Sequence, residues 1–244
     1  MLFFWFNDQV AQAKAALVTG AGSGIGRAAA MRLAELGYCV SLVGRSEAKL
    51  RETAAVCGSA ATLVSPADLL DPQACAAAVG QAVDRFGRLD ALCNIAGWAQ
   101  LASIARTTDQ QWRAMLDTNL SAVFYLTRAV WPTFASQRSG VVVNVSSMAS
   151  MDPFPGFAAY ATAKAGLNML TRITASEGAA IGLRAVVVAP GAVETPMLRS
   201  AFDERAIPRS ATLDPRAVAD LICRCVTGER SFTSGEVIPI VPSS

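Results

Sequence analysis

The chain predicts an α/β fold: one doubly wound parallel sheet of about seven strands with helices on both faces, in a single domain over residues 1–244. Three observations carry this. Short apolar runs recur along the chain, and segments of helical period separate them. Most of the runs are apolar throughout rather than alternating, the pattern of strands covered on both faces. No linker, internal repeat or low-complexity segment divides the 244 residues, a length that one large domain can fill.

Ala15 to Thr19 is the first apolar run, and Gly20-Ala21-Gly22-Ser23-Gly24-Ile25-Gly26 follows it directly. A helical pattern then runs from Arg27 to Leu36 and stops at Gly37. Strand, glycine-rich turn and helix in that order aim backbone N–H groups at a phosphate. The glycines follow Thr-Gly-x-x-x-Gly-x-Gly (Thr19, Gly20, Gly24, Gly26); the commoner Gly-x-Gly-x-x-Gly fails, because Ile25 and Arg27 stand where its last glycine would fall. Cys39 to Val43 is the second strand, ended by Gly44-Arg45-Ser46, and a helix follows to about Cys57. Ala61 to Val64 is the third strand, with Asp68-Leu69 beyond it; Asp71-Pro72 opens a helix that ends near Phe86-Gly87. Leu89 to Cys93 is the fourth strand, ending in Asn94-Ile95-Ala96-Gly97, and Asp109 to Ala135 reads as one long helix containing Asn119, with Pro132 in its last part. Val141 to Val145 is the fifth strand, Phe157 to Ala180 the next helix, and Leu183 to Ala189 the sixth strand, broken by Pro190-Gly191. Glu194 to Leu213 is the one long loop and the place for a lid. Pro215 to Val226 is the last helix and Val237 to Val241 the last strand.

Composition narrows the chemistry. There is no histidine, which excludes histidine triads and histidine metal sites, and no ligand cluster for another metal stands out. Net charge is +2 with scattered Lys and Arg, which gives no nucleic-acid surface. Cys39, Cys57, Cys75, Cys93, Cys223 and Cys225 form no C-x-x-C pair and sit mostly in apolar segments, as free thiols of a reducing compartment do; the expected location is cytoplasmic. Cys223 and Cys225 diverge if they lie on a helix, which argues against a metal or redox pair. Met1 to Phe6 is apolar but short, lacks a basic flank and is interrupted by Asn7-Asp8-Gln9, so neither a signal peptide nor a membrane span is expected, and residues 1–13 read as a tail.

One constellation carries chemistry. Tyr160 and Lys164 lie one helical turn apart on one face. A phenol has an ordinary pKa near 10, and an ammonium held close stabilises the phenolate. Ser147 ends the preceding strand, where its hydroxyl can reach the same point. Tyrosine acid/base, tuning lysine and carbonyl-binding serine suit a proton transfer coupled to a hydride transfer. Taken alone, a Tyr-x-x-x-Lys pair is as easily a helix face with a snorkelling lysine.

Thr19-Gly20-Ala21-Gly22-Ser23-Gly24-Ile25-Gly26, Asn94-Ile95-Ala96-Gly97, Asn119, Ser147, Tyr160-x-x-x-Lys164 and Pro190-Gly191 stand in the order and spacing of the short-chain dehydrogenase/reductase family, which the chain resembles over nearly its whole length. The resemblance implies a seven-stranded Rossmann-type sheet with a nicotinamide cofactor across its carboxyl ends. It implies that Tyr160 is the acid/base, that Lys164 lowers its pKa and binds the nicotinamide ribose, that Ser147 rather than Ser146 orients the substrate oxygen, and that Asn119 holds a relay water. It places Gly20, Ser23, Gly24, Ile25 and Gly26 at the pyrophosphate, and Asp68 with Leu69 at the adenine. Asn94, Ala96 and Gly97 flank the cofactor, and Pro190, Gly191, Val193 and Thr195 meet the carboxamide. Two departures stand out: Ile95 replaces the second asparagine of Asn-Asn-Ala-Gly, and no double glycine follows the last strand.

The implied reaction interconverts a carbonyl, of the ketone or 3-oxoacyl kind, and a secondary alcohol. The alternative is a cofactor-binding regulator or scaffold that has kept the fold and lost catalysis; the complete set Asn119, Ser147, Tyr160, Lys164 favours the enzyme. The substrate is a small molecule whose identity stays open: Trp98, Met148, Phe154, Phe157 and Met197 either line an apolar pocket or serve ordinary packing. For the cofactor, Gly44 stands where a carboxylate would bind the 2′-hydroxyl of NAD, and Arg45 follows it, which favours NADP, with NAD the alternative. Tyr125, Leu126, Val130, Trp131 and Phe134 offer more large apolar surface than one helix face needs, and predict a homo-oligomer, tetramer before dimer.

Overall fold

The computed structural model describes residues 13–58, 60–152 and 154–242. Seven parallel strands run β1 (Ala15–Thr19), β2 (Cys39–Gly44), β3 (Thr62–Pro66), β4 (Ala91–Asn94), β5 (Gly140–Val145), β6 (Leu183–Pro190) and β7 (Val237–Ile240). Their order across the sheet is β3-β2-β1-β4-β5-β6-β7, which reverses direction between β1 and β4, so a crevice opens there at the carboxyl ends. β1, β4 and β5 are buried along their whole length, as unbroken apolar runs require. Helices α1 (Gly24–Glu35), α2 (Glu47–Val56) and α8 (Pro215–Thr227) cover one face, where Leu33, Leu50 and Ile222 pack on Val18, Leu42 and Val188. Helices α3 (Pro72–Phe86), α5 (Ala122–Gln137) and α6 (Ala158–Gly178) cover the other, where Val79, Phe134 and Ala175 meet Leu17, Leu92 and Val142. The remaining helices are α4 (Asp109–Leu116) and α7 (Pro196–Ala201). The expected tail over residues 1–13 lies, save for its last residue, outside the described residues.

Several element bounds differ from expectation, each for a local reason. α1 begins at Gly24 rather than Arg27, so half of the glycine-rich turn is already the first turn of the helix. β3 is displaced to Thr62–Pro66 because pairing with β2 continues through Val43↔Ser65 and Gly44↔Pro66; proline is tolerated there because β3 is an edge strand. β4 starts at Ala91, since the Leu89 amide is taken by Gln137 Oε1 at 3.1 Å. The long helix of residues 109–135 is three pieces: α4, a π turn over Asp117–Ser121, and α5. Asn119 sits in the π turn, and its side chain donates to the Met115 carbonyl at 3.0 Å, competing with the backbone ladder. The expected loop from Glu194 to Leu213 contains α7, whose N-cap Thr195 accepts from the Leu198 amide. All six cysteines are free. Cys223 and Cys225 are both buried on α8, with Cys223 turned to the Ala29 carbonyl of α1.

Candidate active site

The glycine-rich turn forms a cradle at the end of β1. Gly20 and Gly24 have φ of 67° and 54°, the left-handed region that glycine enters freely. A Cβ on Gly26 would lie 2.2 Å from the Gly20 carbonyl oxygen, so the third glycine is what lets α1 close on the strand. Ser23 is the N-cap of α1 but its side chain makes no capping bond, which leaves the first-turn amides of the helix without that partner. The cradle is tied down from three sides. Thr53 of α2 donates to the Ala21 carbonyl (2.9 Å), the Ala21 amide donates to Val43 (3.3 Å), and Thr19 Oγ1 accepts the amides of Ile95 (2.9 Å) and Ala96 (3.0 Å). A small-residue cradle of this kind fits a pyrophosphate. Across it, the Ala67 amide donates to Gly44 (3.0 Å), so Arg45 and Asp68 leave neighbouring strands side by side. Arg45 is exposed and has no hydrogen-bond or ion-pair partner among the described residues. Asp68 is exposed and accepts the Leu70 amide at 3.1 Å, while Leu69 packs partly against the core. Ser46 begins α2 without a side-chain capping bond.

The ends of β4, β5 and β6 supply the rest. Asn94 donates to Asn144 Oδ1 (2.8 Å), and Asn144 donates to Thr171 of α6 (2.9 Å), a buried chain that locks β4, β5 and α6 together. Asn144 and Thr171 escaped sequence reasoning, although a lone asparagine in Val-Val-Val-Asn-Val was a visible signal. After β4 the chain passes between two site residues: a Cβ on Gly97 would lie 2.9 Å from Asn119 Oδ1 and 3.4 Å from Lys164 Nζ. Asn119 is fully buried, accepts the Trp98 amide (3.2 Å) and donates to the Trp98 carbonyl (2.8 Å). After β6, the Gly191 amide donates to Ile240 (2.9 Å) and Val193 bridges to Leu213. Thr195 donates to the Val193 carbonyl (3.2 Å), and its methyl would stand 3.1 Å from a Cβ on Gly24, so the turn after Pro190 closes over the glycine cradle.

Tyr160 and Lys164 face this crevice from α6, both nearly fully buried. Lys164 Nζ donates to the Val145 carbonyl at 2.8 Å and lies 5.7 Å from the centroid of the Tyr160 ring. Burial lowers its pKa to about 8. Burial also raises the Tyr160 phenol above its ordinary value, partly offset by a hydrogen bond with Ser147. In this arrangement the Lys164 ammonium is turned to a backbone carbonyl, and desolvation of the phenolate is the largest influence on Tyr160. The structure separates the two serines. Ser147 meets Tyr160, whereas Ser146 is buried and donates to the Lys164 carbonyl at 3.2 Å.

An aromatic wall flanks the phenol. Phe157 lies 5.1 Å from Tyr160, with Phe154 at 4.6 Å on one side and Phe202, from the segment after α7, at 6.0 Å on the other. Phe202 carried no sequence signal beyond its place in the long loop. Trp98 stands on the loop after β4, Met148 in the short turn after β5 and Met197 on α7, with Trp98 and Met197 partly exposed. The lid is fastened at its root by Glu194, which pairs with Arg199 and Arg209 and accepts from Thr212 Oγ1; the Arg199 bond chiefly holds its carboxyl down at about 2. No group of three or more metal-ligating side chains occurs among the described residues.

The family model described as short chain dehydrogenase matches residues 14–206. The 3-oxoacyl-acyl-carrier-protein reductase of Thermotoga maritima is 34% identical over 238 residues, covering 94% of this chain and 96% of its own. Among solved structures, a ketoreductase of actinorhodin polyketide synthesis with NADPH superposes with TM-score 0.87 and 28% identity, covering 94% of this chain and 96% of that one. The 3-ketoacyl-acyl-carrier-protein reductase of Brucella melitensis complexed with NADH gives 0.88 and 28%, covering 94% and 97%.

Proposed function

The chain belongs to the short-chain dehydrogenase family, and on that premise we propose that it is a nicotinamide-dependent ketoreductase, interconverting a carbonyl and a secondary alcohol with NADP preferred over NAD. The observation that carries this is the placement of Asn119 and Lys164 on either side of Gly97, with Tyr160 beside Lys164 and Ser147 at Tyr160, opposite the glycine cradle. When bound, the cofactor supplies or accepts the hydride. Tyr160 and Ser147 hydrogen-bond the substrate oxygen. Tyr160, held protonated by burial, delivers the proton to that oxygen as it gains negative charge, and takes it back in the reverse direction. Lys164, still charged at neutral pH, stabilises the phenolate that remains, and Asn119 holds the loop after β4 in place beside both. Phe157 and Phe202 exclude water and present an apolar surface, which favours a ketone with an apolar body over a sugar.

The NADP preference rests on the unpaired Arg45 and on Gly44 in place of a carboxylate; structural relatives are known with either nucleotide. A homo-oligomer is proposed from a changed set of residues. Leu126, Val130 and Phe134, expected to be surplus, are buried in the core, with Tyr125 and Trp131 packed on it. The large apolar side chains left exposed on α4, α5 and α6 are Trp112, Phe124, Met169 and Ile173. No helix among the described residues is long and apolar enough to cross a membrane; six free thiols support a reducing compartment such as the cytoplasm. The test is a panel of ketones and alcohols, followed by absorbance of the reduced nicotinamide, with Tyr160→Phe beside the native protein. Turnover should appear and fall about 10²–10⁴-fold in the variant, with cofactor binding kept. Near-native kcat in Tyr160→Phe would sink the assignment.

A further inference from the structure

Tyr160, Lys164 and Asn168 are successive turns of one face of α6. The first two enter the proposed chemistry; Asn168 does not. Its Nδ2 donates to Ser150 Oγ at 2.9 Å, and Ser150 Oγ donates to the carbonyl of Ser147 at 2.6 Å. The directions are set by proton count. A serine hydroxyl has one proton; Ser150 gives it to a carbonyl, which can only accept, so its oxygen must accept from Asn168. That in turn fixes the amide, with Oδ1 on the other side, buried and without a partner among the described residues. Ser146 reinforces the link, donating at 3.2 Å to the Lys164 carbonyl and lying 3.4 Å from Ser150 Oγ.

The result is a strut. Ser147 sits at the end of β5 in a short turn, where its own Oγ accepts the Ala149 amide at 3.2 Å. Among the described residues, its side-chain link from the body of α6, apart from the phenol itself, runs through Ser150 and Asn168. We infer that Asn168 and Ser150 are positioning residues, which hold the Ser147 hydroxyl at the height of the Tyr160 phenol by fixing the Ser147 backbone to the helix that carries Tyr160 and Lys164. The inference rests on the ketoreductase reading for its effect on turnover, but not for its geometry. Neither residue reaches the reacting atoms; each acts through Ser147, so the cofactor cradle is untouched.

The experiment compares Ser150→Ala, Asn168→Ala, the double variant and Ser150→Thr with the native protein. Expected are a kcat lower by about tenfold in both alanine variants, cofactor KM and fluorescence-measured cofactor Kd within about twofold, and a double variant no worse than either single one, since one broken link already frees the turn. Ser150→Thr, which keeps the hydroxyl, should restore most of kcat. Without any substrate, amide hydrogen exchange at Ala149 and Ser150 should quicken about tenfold in the alanine variants. Native kcat in Ser150→Ala and Asn168→Ala overturns the strut and leaves the ketoreductase reading standing, as does additive loss in the double variant. If the native protein turns over no carbonyl, the functional reading fails, and unchanged exchange at Ala149 would then overturn the strut by itself.

Discussion

Burial moves the proton affinities of Tyr160 and Lys164 in opposite directions: the phenol goes up and the ammonium comes down to about 8, because each loses water in its charged form. For carbonyl reduction, both groups are then protonated at neutral pH. kcat/KM for reduction should be level from about pH 6 to 7.5 and fall about tenfold per unit above about 8 as Lys164 loses its charge, a limb absent from Lys164→Met if any activity remains. The stability linkage runs the other way. Lys164 binds its proton less tightly folded than unfolded, so between about 8 and the ordinary value of 10.5 the unfolded chain holds more protons, and this group favours folding more as pH rises. Rate loss above pH 8 without a matching fall in thermal stability would separate this titration from alkaline unfolding. At the other end of the crevice, Arg45 stands exposed at the end of β2, with no ion-pair partner among the described residues. Arg45→Ala should raise the NADPH KM about tenfold or more and leave that for NADH within about twofold, since only the former carries a phosphate for a guanidinium to hold. Equal effects on both nucleotides, or a higher native kcat/KM with NADH, would reverse the preference.

At the scale of elements, the segment after β6 joins the glycine cradle and the aromatic wall through one carboxylate. Glu194 follows Val193 directly and binds Arg199 in α7, Arg209 and Thr212, while Phe202, one residue beyond α7, lies on Phe157 beside the phenol. Removing the charge leaves two arginines without their common partner and frees the root of the lid. Glu194→Gln should make tryptic cleavage at Arg205 and Arg209 about tenfold faster and raise the substrate KM more than it lowers kcat. Because the carboxyl of Glu194 is held down at about 2, the native lid should resist trypsin equally between about pH 6 and 8. Cleavage at the native rate in the variant would show that α7 is held by packing alone. The glycine cradle is a second element with one intolerant position: a Cβ at Gly26 meets backbone rather than a movable side chain, which explains why the third glycine of the turn has no substitute.

At the scale of the molecule, Trp112, Phe124, Met169 and Ile173 are each roughly two-fifths to one-half exposed, on α4, α5 and α6. These helices are the ones that carry Asn119's turn, Tyr160 and Lys164, so an interface there would stiffen the site from outside. The protein should run as a homotetramer, or failing that a homodimer, by light scattering at micromolar concentration. Phe124→Glu with Ile173→Glu should dissociate it. A native monomer would contradict the proposal.

The fold was readable in the order of the residues because its signals are local and repeat. Apolar runs such as Ala15 to Thr19 and Val141 to Val145 mark buried parallel strands, glycines at 20, 24 and 26 mark the cradle, and the spacing of Tyr160 and Lys164 needs only a helix to put them on one face. What depends on contacts far apart in the chain was not readable. The π turn at Asn119 follows from a side chain that reaches Trp98 as well as Met115. The choice of Ser147 over Ser146 became geometric only once α6 packed on β5, with Lys164 taking the carbonyl of Val145 and Ser146 that of Lys164. The same packing gave the lysine the Val145 carbonyl as its hydrogen-bond partner, a contact that spacing along the chain does not reveal. Hydropathy and spacing report which face a residue lies on; where its hydrogen bonds end is settled by its neighbours in space, and for Lys164, Asn119 and Asn168 those neighbours come from other elements.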